Sequence, residues 1–186
     1  NISYAQLGPG DGNGFKLGGS TTGGYNIVKQ NISYGNSSRG YDTNGSWGNL
    51  YYNNVAYNNT RFGFEDGYRD FTCDVKTCPS TFINNIGYNN ASGNFSANIW
   101  TAVSHNNIWY SDGKGPEVLY KYSKKTSLSA FYAASGNRLD NPNAGDLSSL
   151  EMNPMFTNAP GALFALLTGS PAINTGDPSN PAQTTI

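Results

Sequence analysis

Three charged side chains recur in one local pattern. Gly14-Phe-Lys16, Gly40-Tyr-Asp42 and Gly63-Phe-Glu65 each place a charge directly after a Gly-aromatic pair, at intervals of 26 and 23 residues. If the aromatics face a core, strand alternation turns Lys16, Asp42 and Glu65 outward along one groove. A lysine amine removes a proton only when neutral, a state that a nearby cation or desolvation favours and a carboxylate opposes. Arg39 or a metal ion is the candidate cation. Alternatively, two carboxylates one strand apart could serve as the acid pair of a retaining glycoside hydrolase, which needs about 5–5.5 Å between them. Arg39, Arg61 and Arg69 offer planar forks for a substrate carboxylate. The glycines around Lys16 let backbone approach a ligand closely.

Composition narrows the partners. Charged residues make up 12% of the 186 residues, about half the usual share, and net charge is −1. No basic field favours nucleic acid, no polybasic stretch favours anionic lipid, and no apolar run is long enough to span a bilayer. The aromatic share of 13% argues for a packed core rather than disorder. The glycine run around Lys16 lacks the Gly-Lys-Ser/Thr of a phosphate loop, and a dinucleotide site needs a strand-to-helix crossover that nothing here suggests.

The elements that must hold these residues are read from an internal repeat. Asn31-Ile-Ser-Tyr-Gly-Asn36, Asn54-Val-Ala-Tyr-Asn-Asn59, Asn85-Ile-Gly-Tyr-Asn-Asn90 and Asn107-Ile-Trp-Tyr-Ser-Asp112 start 23, 31 and 22 residues apart. The long interval contains Cys73-Asp-Val-Lys-Thr-Cys78. Short apolar pieces between Asn and Gly lack helical periodicity, and recurrent Leu positions are absent, which excludes helical and leucine-rich solenoids. The expected fold is all-β: a right-handed parallel β-helix with strands stacked about 4.8 Å apart. Ile32, Val55, Ile86 and Ile108 are expected as one inward column, Tyr34, Tyr57, Tyr88 and Tyr110 as a second, and Asn side chains as an internal ladder. One domain is expected over residues 1–186. Coils run to 113, modified coils with a short helix and a C-terminal cap cover 114–177, and 178–186 form a loose tail. Because Asn1-Ile-Ser-Tyr4 already matches the coil signature, coils upstream of it, or a partner chain supplying them, are expected.

Within this frame, Asp11-Gly-Asn-Gly-Phe-Lys-Leu-Gly-Gly19 resembles the signature of polysaccharide lyase family 9, and Gly40-Tyr-Asp-Thr-Asn44 is similar to a second segment of that family. The resemblance is strongest over residues 8–60. It implies a secreted parallel β-helix enzyme acting on pectate or rhamnogalacturonan, an acidic plant cell-wall polysaccharide. It implies Lys16 as the Brønsted base that takes the C5 proton of a uronate, with Asp42, Asn44, Arg39 and Glu65 as substrate contacts. It also implies Ca²⁺, whose aspartate ligands lie upstream of the lysine motif in the family and are expected outside this chain. Activity is then expected only when those coils are supplied. The alternative is a non-catalytic carbohydrate-binding or cell-surface β-helix.

Two further signals bear on location. Cys73 and Cys78 suit a small disulfide stapling a loop in an oxidising compartment, the alternative being two reduced thiols. Seven Asn-x-Ser/Thr sequons, at Asn1, Asn31, Asn36, Asn44, Asn58, Asn90 and Asn94, agree with a secreted glycoprotein, although an Asn-rich chain also generates them by chance. His105 has no assigned role, and Asp112-Gly-Lys-Gly115 reads as a turn.

Overall fold

The structure is a computed structural model that describes residues 1–18, 24–67, 80–97, 103–120, 123–135 and 149–177. Strands come in a repeating order of three. The first three sets are β1 (Ile2–Tyr4), β2 (Phe15–Lys16), β3 (Ile27–Lys29); β4 (Ile32–Tyr34), β5 (Tyr41–Asp42), β6 (Leu50–Tyr52); and β7 (Val55–Tyr57), β8 (Phe62–Asp66), β9 (Thr81–Ile83). Next come β10 (Ile86–Tyr88), β11 (Gly93–Ala97), β12 (Val103–His105), then β13 (Ile108–Tyr110), β14 (Val118–Tyr120) and β15 (Ser123–Lys125). Helix α1 (Leu128–Ser135) and the antiparallel pair β16 (Phe156–Asn158) and β17 (Leu163–Leu166) complete the described elements. The chain is therefore all-β in class, with parallel pairing dominant.

Each member of a set joins a different sheet. The first sheet runs β1-β4-β7-β10-β13, the second β2-β5-β8-β11-β14 with β15 added antiparallel, and the third β3-β6-β9-β12. The registers are those of the sequence repeat: Ile32 pairs Val55, Val55 pairs Ile86, and Ile86 pairs Ile108.

The Asn-Asn pairs make the corners. In Asn53-Asn54, Asn84-Asn85 and Asn106-Asn107 the first residue has φ of +56°, +56° and +55°. Asn tolerates this left-handed geometry better than most residues. The second points inward. Asn1, Asn31, Asn54, Asn85 and Asn107 form a chain in which each Nδ2 donates to the next Oδ1 at 3.0–3.1 Å. A second chain runs Asn36-Asn59-Asn90-Asn94 at 2.8–2.9 Å, after its own corner residues Gly35, Asn58 and Asn89. Ser149 Oγ ends the first chain by accepting from Asn107 N at 2.8 Å. The expected ladder is thus present twice, pairing corner backbone that burial would otherwise orphan.

The inward columns of the first sheet differ from expectation. Ser33, Ala56, Gly87 and Trp109 face the core, while the Ile/Val and Tyr columns face outward. The reason is alternation: with Asn31 inside, Ser33 is inside, and Ile32 and Tyr34 lie on the other face. The interior is also tight there, since a Cβ on Gly87 would meet Asn94 Cβ and Trp109 Cε3, each at 2.9 Å. The outward tyrosines are covered in part by the β16–β17 pair, with Phe164 5.3 Å from Tyr34 and 5.8 Å from Tyr57 between ring centroids. The bulk of the core comes from the other two sheets. Phe15, Tyr41 and Phe64 stack at 5.1 and 4.6 Å, and Tyr51 stacks on Phe82 at 4.6 Å. Helix α1, capped by Ser127 Oγ accepting from Ala130 N, packs Leu128 and Phe131 against this core. The helix lies inside the interval where a short one was expected. The Cys73–Cys78 loop, Arg69 and the tail 178–186 lie outside the described residues.

The ladders also sort the sequons. Asn31, Asn36, Asn90 and Asn94 are buried ladder members whose amide nitrogens donate hydrogen bonds inside the protein. Asn58 is exposed on a corner. If the chain is expressed through a glycosylating secretory pathway, glycan on folded, soluble protein is expected at Asn58 and absent from the four ladder positions, as read by site mapping after deglycosylation. Folded protein carrying glycan on Asn36 would contradict this assignment.

A buried carboxylate lies beneath the second sheet. Asp66 is fully buried and neither oxygen has a hydrogen-bond partner. Desolvation pushes its pKa up to about 7; the nearby Ser80 hydroxyl opposes this in part without reaching hydrogen-bond geometry. The folded state therefore holds the proton up to about pH 7, whereas the unfolded chain releases it near the ordinary carboxylate value of 3.8. Its stabilising contribution is full below about pH 4 and is lost as pH rises toward 7, a change of about 4 kcal/mol. Asp66→Asn is expected to remove this slope in urea denaturation measured between pH 4 and 7. A wild-type slope unchanged by the substitution would contradict it.

Candidate active site

Pairing of β2 with β5 sets Lys16 beside Asp42, and pairing of β5 with β8 sets Asp42 beside Glu65. The expected alignment of the three charges is present, with Phe15, Tyr41 and Phe64 on the opposite face in the core. A cleft of about 380 Å³ is lined by Asp11, Arg39, Asp42, Asn44 and Glu65 together with Gly45 and Gly67. All four sequence-assigned substrate contacts line it, and Lys16 stands beside it through Asp11.

The electrostatics differ from an open groove. Asp42 and Glu65 are buried, at 6% and 2% exposure, not freely solvated. Arg39 crosses both: its Nε is ion-paired with Glu65 Oε2, and its Nη1 lies 3.8 Å from Asp42 Oδ2. Asp42 is further held by Asn13 Nδ2 on Oδ2 at 2.9 Å and by its own loop, Asn44 N on Oδ1 at 2.8 Å. Asn44, with φ +43°, also donates from Nδ2 to Gly18 O at 2.8 Å, tying the two sequence motifs together. Arg39 is thus engaged by the two neighbouring carboxylates. Bridged by one guanidinium, Asp42 and Glu65 do not form the pair of unengaged carboxyls that glycoside hydrolysis needs.

Lys16 is the most exposed of the three aligned charges, and its Nζ is ion-paired with Asp11 Oδ2. That hydrogen bond and the charge behind it, with a smaller contribution from Arg39, hold the Asp11 carboxyl below its ordinary pKa. Asp11 and Asn13 were missed as site residues from sequence, although both sit in the glycine-rich motif, five and three residues before the lysine. A Cβ on Gly14 would lie 2.8 Å from Gly40 O and 2.0 Å from Ser33 Oγ, so Gly14 is required by packing of one set of strands on the next.

Among the described residues no three metal-ligating side chains converge, and the cleft carboxylates Asp11, Asp42 and Glu65 are engaged by Lys16 or Arg39. Arg61 lies over the Phe62 ring, 5.8 Å from its centroid, and not in the cleft. His105 Nδ1 lies 3.7 Å from Asp177 Oδ2, and the expected 112–115 turn closes through Ser111 and Gly115. Among the described residues no helix is long and apolar enough to cross a membrane. Comparison with family models, with curated proteins and with solved structures gives no match for this chain.

Proposed function

We propose that the three parallel sheets wind as a right-handed β-helix and that the chain is a secreted lyase of uronate-containing pectic polysaccharide, with Lys16 as Brønsted base. One observation carries this reading: an exposed amine stands in register beside two acids and an arginine on the rim of a polar cleft. In the reaction Lys16 Nζ takes the C5 proton, the C–H electron pair forms the C4–C5 double bond, and the C4–O bond breaks. The leaving oxygen takes its proton from water. The substrate carboxylate competes with Glu65 and Asp42 for the Arg39 guanidinium, a planar partner suited to it. Before acting, Lys16 must leave Asp11 and shed a proton. Family-type calcium ligands would have to come from other coils or a partner chain. The exposed Ile2, Tyr4 and Ile27 at the β1 and β3 edges suit such a neighbour.

A second reading is a non-catalytic carbohydrate-binding β-helix, favoured by the ion pairs that occupy both Lys16 and Arg39. The test is product analysis on polygalacturonate and on rhamnogalacturonan with calcium present. Unsaturated, ultraviolet-absorbing ends support the lyase. Saturated reducing ends, or binding with no cleavage by this chain and by a version extended upstream, reject it.

A further inference from the structure

The sequence contains the pair Asn-Gly twice, at Asn13-Gly14 and Asn44-Gly45. An asparagine before glycine is chemically reactive. The next backbone nitrogen can attack the side-chain carbonyl, and glycine puts no Cβ in its way. The reaction is fast or slow according to how firmly the amide and that nitrogen are held.

The fold treats the two pairs differently. At Asn13 both ends of the amide are engaged: Nδ2 donates to Asp42 Oδ2 at 2.9 Å, and Oδ1 accepts from Arg39 N at 3.2 Å. The attacking nitrogen is engaged too, because Gly14 N donates to Arg39 O at 2.9 Å. At Asn44 a single bond holds the side chain, from Nδ2 to Gly18 O at 2.8 Å. Among the described residues Gly45 N has no acceptor. Gly45 takes φ +86° with open space where a Cβ would stand, and neither residue of the pair is buried. The peptide between them can therefore turn with little packed against it.

We infer that Asn44-Gly45 is a self-modification site that converts to aspartate and isoaspartate in the folded protein. A base takes the Gly45 N–H proton, Gly45 N bonds to Asn44 Cγ, and the Cγ–Nδ2 bond breaks with loss of ammonia. Water then opens the five-membered imide. Attack at Cγ leaves an ordinary aspartate. Attack at the main-chain carbonyl carbon of residue 44 leaves an isoaspartate, with the main chain running through Cγ. In sum, one water is consumed and one ammonia released. Neither product can donate to Gly18 O, so the tie between the two sequence motifs is lost. Each product adds a carboxylate to the cleft that Asp42 and Glu65 already line. The cleft becomes more negative as the protein ages, which opposes the binding of any anion there. The modification itself does not rest on the lyase reading.

The full chain is produced in a host that adds no N-glycan, since Asn44 also heads a sequon. It is held at mildly alkaline pH with and without denaturing urea. Conversion at each Asn-Gly pair is followed by peptide mapping and mass spectrometry, and isoaspartate by isoaspartate-specific methylation. In urea the two pairs are expected to convert at similar rates. In the folded chain Asn44 is expected to convert about tenfold or more faster than Asn13, whose reaction awaits local opening. Asn44→Gln, whose amide would have to close a six-membered ring, is expected to stay unconverted at this position. Equal rates at the two pairs in the folded chain, or no conversion at Asn44 there while the urea sample converts, overturns the proposal. Both rates are read on the unsubstituted chain, so the test stands even if Asn44→Gln misfolds.

Discussion

Asn85→Ala is expected to lower the unfolding free energy by about 4–6 kcal/mol and, in a chain of ordinary stability, to leave much of it unfolded. The side chain is fully buried in the middle of the first ladder. Its Nδ2 donates to Asn107 Oδ1 and to Tyr51 O, each at 3.0 Å. Its Oδ1 accepts from Asn54 Nδ2 at 3.0 Å and from Asn54 N at 3.1 Å. Truncation removes those four hydrogen bonds: Asn54 N loses its partner where water does not reach, at about 1–3 kcal/mol, while Asn54 Nδ2 keeps Val28 O and Asn107 Oδ1 keeps Asn85 N, so each further bond lost costs about 0.5–1.5 kcal/mol. Asn58→Gly is the matched control. Asn58 is exposed with φ +50°, a geometry glycine adopts freely, so that change should stay within about 1 kcal/mol. Urea denaturation of both variants checks the contrast; equal midpoints would mean the ladder contributes little.

The parts of this architecture that the sequence made legible are those fixed by spacing. Residues 23, 31 and 22 apart in sequence became partners across strands, and intervals of 26 and 23 aligned Lys16, Asp42 and Glu65. The ladder was legible because a buried corner needs amides and the repeat supplied them. Which face looked inward was misread for the first sheet. Hydrophobicity alone favoured Ile32 and Tyr34, but an inward Asn31 forces Ser33 inside, and the remote β16–β17 pair covers the displaced tyrosines. That covering element shares no repeat with the strands it protects, so nothing local announced it. The division of labour within Asn84-Asn85 was equally hidden, since one residue takes a left-handed φ and the other a ladder position with identical side chains. At the site, the residue types and register were readable. The partners were not: Arg39 reaches 26 residues forward to Glu65, and Asp66 turns inward beside it.

The central claim is that Lys16 removes the substrate proton. Lys16→Met keeps the length and apolar stem of the side chain and removes the amine. Because the residue is exposed and its ion pair with Asp11 is at the surface, stability should change by less than about 1 kcal/mol. Loss of a positioned general base lowers turnover by about 10²–10⁴-fold, with substrate affinity largely kept, since Arg39, Asp42 and Asn44 remain in the cleft. The deciding measurement is the initial rate of ultraviolet-absorbing product formation from polygalacturonate by the two proteins, each supplied with calcium and any neighbouring coils that activity requires. A wild-type rate at least 100-fold above that of folded Lys16→Met is the expected result. Equal rates would remove Lys16 from the chemistry.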